Sequence, residues 1–189
     1  MARFSYTGPM AKDFDPHRLD VRRFAEEDGN LQGTEELRRF SRLAAETTGS
    51  DPALPVHWHA RGELRNPQHH APDVWVHLEA DAVLPLVCQR CLQEVDIPVA
   101  IDRSFRFVAD EATAAAEDDV AEEDLLALSP SFDLLELVED ELLMDLPVVP
   151  RHEACPEPVK MSVADPEFEA AGPEKEHPFA VLGRLKTGK

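Results

Sequence analysis

Starting at Val74, every second residue through Leu86 is apolar (Val74, Val76, Leu78, Ala80, Ala82, Leu84, Leu86), with His77, Glu79 and Asp81 between them. The alternation resumes after Cys91, with Val95, Ile97, Val99, Ile101, Phe105 and Phe107 set against Asp96, Asp102 and Arg106. Period-two patterning turns one face to a core and the other to water, so the pattern predicts a long antiparallel hairpin with strands at about 74–87 and 93–108. Val56–Leu64 predicts another strand. The period then changes. Asp133 is placed to cap a helix, Glu136 stands three residues on as in a capping box, and Leu135, Val138, Leu142 and Leu146 form a stripe. Pro147 and Pro150 stop that helix, which is predicted over about 134–146.

Weaker patterns flank this centre. Asp15-Pro16 reads as the start of a short helix, with Leu19 and Phe24 on its apolar side and Asp28-Gly29-Asn30 at its end. Thr34 reads as the cap of a second helix carrying Leu37, Phe40 and Ala44, with Arg38, Arg39 and Arg42 opposite. Residues at about 109–131 lack a periodic apolar face and read as a flexible acidic loop. The predicted fold is therefore α+β: an antiparallel sheet built around the hairpin, amino-terminal helices and one later helix. Residues 1–155 form the expected single domain, and 156–189 an extended, partly mobile carboxy-terminal segment with a short docking motif at 177–186. Phe179, Leu182 and Leu185 would be the docking face of that motif.

Composition sharpens this picture. The 189 residues include 16 prolines and 8 glycines, which favours extended and looped chain over long helices. The formal net charge is −19, and 14 acids with no Lys or Arg lie between Asp110 and Asp145. Residues 1–48 are nearly balanced, with eight basic and nine acidic side chains. A surface this acidic excludes generic phosphate-driven binding of nucleic acid. No apolar run approaches the roughly 20 residues of a membrane span. Met1–Asp15 shows no signal-peptide pattern, so the expected compartment is the cytoplasm.

Cys88-x2-Cys91 falls on the link between the hairpin strands, and His152-x2-Cys155 follows the helix stop. Two ligand pairs at the same short gap can supply Cys3His to one structural zinc ion; unmetallated thiols beside a surface histidine are the plain alternative. A thioredoxin-type redox pair fits less well, because strands flank Cys88 and Cys91 and no helix N-terminus is there to favour the thiolate. No nucleophile elbow, Walker loop or dinucleotide glycine pattern is present, so the residues do not suggest an enzyme.

The stretch Leu86-Val87-Cys88-Gln89-Arg90-Cys91, the string VEDELLMDLPVVPRHEAC (Val138–Cys155) and the closing HPFAVLGRLK (His177–Lys186) resemble the YceD family of large ribosomal RNA subunit accumulation proteins. The resemblance implies a cytoplasmic, non-enzymatic ribosome biogenesis factor needed for synthesis, processing or stability of 23S rRNA. Two handles are open. Direct RNA contact would use Arg22, Arg23, Arg38, Arg39 and Arg42. Action through a basic ribosomal protein would use Asp118, Asp119, Glu122, Glu123 and Asp124, with the protein as an acidic adaptor or holder. An acidic loop that only aids solubility is the third possibility.

Overall fold

The computed structural model describes residues 14–49, 51–66, 72–157 and 163. The chain divides into two compact units, Met1–Ala154 and Cys155–Lys189. The docking motif at 177–186, and most of the carboxy-terminal segment, lie outside the described residues.

The predicted hairpin is present as β3 (Asp73–Val87) and β4 (Glu94–Val108). It pairs antiparallel from Val74↔Phe107 to Val87↔Glu94. The strand expected at 56–64 is β2 (Pro55–Arg65), antiparallel to β3. With β1 (Asn30–Glu36) and β5 (Asp124–Ala127), the sheet has the order β1-β2-β3-β4-β5, antiparallel except for β5 against β4. Inward side chains on β2, β3 and β4 alternate as the pattern required, and Val56, Leu78 and Leu84 are fully buried. Removing one such aliphatic side chain from water contributes about 1.5–3 kcal/mol.

The helices close over that inner face. The helix expected at about 134–146 is α4 (Leu134–Asp145); the Asp133 carboxylate accepts from the N–H groups of Leu135 and Glu136, as its sequence position implied. Its buried side is wider than the predicted stripe, because Leu134, Leu137, Glu139 and Glu141 are also buried.

Three expectations need correction. The first helix is α1 (Val21–Glu26), capped by Asp20 rather than Asp15; Asp15 instead accepts from the N–H of His17 in the preceding turn. The second correction concerns Thr34, which caps no helix. It lies in β1, opposite His57 of β2. The helical spacing read from Leu37, Phe40 and Ala44 is split between a 3-10 turn, Leu37–Arg39, and α2 (Ser41–Glu46). Gly33 is what seats β1 here, since a Cβ at that position would come within 2.7 Å of the Trp58 indole. Strand pairing along β2 therefore overrides a short-range capping signal. Third, the acidic stretch is not a structureless loop. It contains α3 (Glu111–Glu117), capped by Asp110, and then β5. Two arginines of β4 hold it, Arg106 pairing with Glu117 at 2.8 Å and Glu123 at 2.6 Å, and Arg103 pairing with Asp124.

Glu141 gives this packing a pH signature. Burial pushes its carboxyl above the usual range, Arg103 (Nη1 3.4 Å away) pulls it back, and Asp124 and Asp140 push it up again, for a net rise. A raised folded pKa means the native state holds the proton more tightly. The associated stability is present below the unfolded value of about 4.3 and is lost as pH rises through the folded value. Glu141→Gln should therefore gain on the wild type across that window. A pH series of urea unfolding curves checks this, and parallel curves for the two proteins would contradict it.

Candidate metal centre and the charged surfaces

Cys88 directly follows β3 and begins the turn that closes the hairpin. Its N–H donates to the Gln93 carbonyl at 2.9 Å, and the N–H of Leu92 donates back to the Cys88 carbonyl at 2.8 Å. Leu92 takes φ +61°, the left-handed conformation that tightens the turn. Cys88 is thus fully buried while Cys91 sits half-buried beside it.

After α4, Pro147 and Pro150 prevent further helix and the chain passes the hairpin tip as irregular, bent backbone. The Gln89 N–H donates to the Pro150 carbonyl at 2.8 Å, and Arg90 Nη2 donates to the carbonyls of His152 (3.1 Å) and Glu153 (3.3 Å). These contacts bring His152 Nδ1 to 3.4 Å from Cys91 Sγ. Cys155 follows three residues later. The ligand atoms of Cys88, Cys91 and His152 all lie within 4.8 Å of one another. Donors of a tetrahedral ion with bonds of roughly 2.3 Å stand about 3.8 Å apart, so these three fit such an ion in kind and spacing.

Burial pushes the Cys88 thiol up. The backbone N–H groups of His152, Cys91 and Arg90 and the His152 ring more than offset this, and bring it down to about 5. Strands on both sides of Cys88 and Cys91 thus do not leave the thiol without stabilisation of its thiolate. Turn N–H groups aimed at the sulfur supply what a helix N-terminus supplies elsewhere.

The five arginines considered for RNA share no single helix face. Arg38 pairs with Glu36, Arg39 with Glu35 at 3.2 Å, and Arg23 with Glu27 at 3.1 Å. Arg42 is held by α4, through Glu139 at 2.9 Å and Asp140 at 2.5 Å, and these two carboxylates raise its pKa. Among the described residues, only Arg22 of the five has no acidic partner. The acidic set divides as well. Glu123 and Asp124 are taken up by Arg106 and Arg103, whereas Asp118, Asp119 and Glu122 are exposed and have no ion-pair partner among the described residues. Sequence reasoning overlooked Glu139 as a key residue. Its only signal was a charged residue following directly on Val138 of the predicted stripe.

The protein is of the α+β class, with a mostly antiparallel five-stranded sheet and thiol and imidazole groups gathered at its hairpin tip. Residues 76–186 match the family described as Large ribosomal RNA subunit accumulation protein YceD, and the chain belongs to that family. No solved structure matches it. Among the described residues no helix is long and apolar enough to cross a membrane.

Proposed function

We propose that this chain is a non-enzymatic cytoplasmic factor supporting accumulation of 23S rRNA, and that it acts by holding a basic ribosomal protein rather than by gripping RNA broadly. The observation that carries this is the pairing pattern: four of the five candidate RNA arginines are neutralised by the chain's own carboxylates, while Asp118, Asp119 and Glu122 are exposed and unpaired among the described residues, as a cationic partner would need. Opposite charge steers such a partner and sets its orientation. Cys88, Cys91, His152 and Cys155 would hold one structural zinc, which supplies a rigid cross-link and no chemistry. Its role is to keep the hairpin tip and the stretch after α4 together.

The test uses full-length protein against purified basic large-subunit proteins and a 23S rRNA fragment. Replacing Asp118, Asp119 and Glu122 with Asn, Asn and Gln should lower affinity for the protein partner about tenfold at low salt, with RNA binding unchanged. Deleting the whole 110–124 segment is the poorer experiment, because α3 and β5 are tied to β4. Should the triple variant keep full protein capture while Arg22→Gln abolishes RNA binding, direct RNA contact is the correct reading.

A further inference from the structure

The outward face of the sheet carries a second group of ligand-type side chains, separate from the thiol cluster. His77 and Glu79 of β3 and Asp102 of β4 present ligand atoms within 4.8 Å of one another. Their placement follows from register: Glu79 stands directly opposite Asp102 on one side and His59 on the other. His77 Nε2 lies 3.2 Å from Glu79 Oε1 and 3.5 Å from Asp102 Oδ1, and His59 Nδ1 lies 3.6 Å from Glu79 Oε2.

The partners of Glu79 here are two imidazoles: the hydrogen bond from His77, with His59 beside it, outweighs burial and holds the Glu79 carboxyl below its usual range. Two carboxylates converge on one imidazole nitrogen, which can donate at most one proton. Like charges directly opposite across a strand pair are destabilising, and Glu79 with Asp102 is such a pair. The His77 ring is meanwhile fixed from behind. Ser104, its cross-strand neighbour, lies 3.0 Å from Nδ1, so Nε2 is aimed at the carboxylates. A hydroxyl bonded to one ring nitrogen while the other faces two carboxylates gives the outer support expected of a metal-binding histidine; with a metal on Nε2, Nδ1–H would donate to Ser104 Oγ.

We propose that His77, Glu79 and Asp102 bind one divalent first-row transition ion on this open face, with Ser104 as a positioning residue and His59 as an outer partner of Glu79. A mixed imidazole–carboxylate set favours Zn2+, Co2+ or Ni2+ over Ca2+ and Mg2+, which prefer oxygen ligands alone. The three strands are rigidly paired here, so binding needs side-chain rotation only.

Full-length protein with its thiol centre already loaded with zinc is titrated with Co2+, followed by calorimetry and visible absorption. One further ion per chain is expected, with no growth of thiolate-to-cobalt charge-transfer absorption. His77→Ala should weaken that event by at least about tenfold, and Ser104→Ala by about tenfold. His57→Ala, on the same face but outside the group, should leave it unchanged. Asp102→Asn serves as a second measurement. It should raise the melting temperature without added metal, by removing the repulsion, and abolish the rise that Co2+ produces in the wild type. Absence of a second binding event, its survival in His77→Ala, or equal binding of Mg2+ would each overturn the proposal.

Discussion

Protein purified without a histidine tag under reducing conditions is expected to carry one zinc per chain and to lose it in the Cys88→Ser variant. An ion present at a thousand times its dissociation constant contributes about 4 kcal/mol to the native state. For a chain of this size that corresponds to a fall of roughly 8–16 °C in Tm on chelation or in Cys88→Ser. The loss should be local at first. Hydrogen exchange should quicken at residues 88–93, where the turn bonds sit, before it quickens along the β3–β4 ladder. The sheet has its own core, so the metal-free protein should remain folded, unlike an isolated zinc finger. Elemental analysis and paired melts decide the matter: wild type without stoichiometric zinc, or with the same Tm before and after chelation, removes the ion from the account.

Glu139→Ala is expected to destabilise the fold by about 2–3 kcal/mol, because it leaves one buried and one part-buried backbone donor without an acceptor. The first turn of α2 has no capping side chain of its own, since Phe40 occupies that position. Glu139 reaches across from α4 instead. Its Oε1 accepts from the N–H of Arg42 at 2.7 Å and of Leu43 at 3.1 Å, while Oε2 accepts from Arg42 Nη2 at 2.9 Å. One carboxylate thus caps one helix from another and neutralises the arginine at its start. Arg42→Ala should cost much less than Glu139→Ala, because the carboxylate keeps both backbone donors. Glu139→Gln should fall between them. Urea unfolding of the three variants tests this order, and equal losses for Arg42→Ala and Glu139→Ala would show that the ion pair, not the cap, carries the effect.

Arg42 shows why some features were legible in the chain and others were not. The β3–β4 hairpin, β2 and α4 were readable because each repeats a short-range pattern over many residues: alternation from Val74 to Phe107, and helical spacing behind the Asp133 cap. The two ligand pairs were readable for the same local reason, a fixed gap of two residues. β1 was not. It has only seven residues, Leu31 is its single large apolar side chain, and Gly33 against Trp58 acquires meaning only once β2 is its neighbour. α3 and β5 were hidden by composition, since a run of Ala, Asp and Glu resembles a solvated loop until Arg103 and Arg106 are placed beside it.

The sequence by itself determined the periodic elements, the α+β class and the set of side chains able to hold a metal, because those depend on neighbours a few residues apart. Tertiary structure alone decided which charges remain available. Ion pairs such as Arg42–Glu139 and Arg106–Glu123 join residues far apart in the chain, and their formation depends on how strands and helices are packed. An arginine-rich stretch that looked suited to RNA is mostly neutralised, and the acidic stretch keeps only part of its charge for partners. The same packing set Glu79 against Asp102 and His77, because strand register, not sequence spacing, determines which side chains share a patch of the outer face.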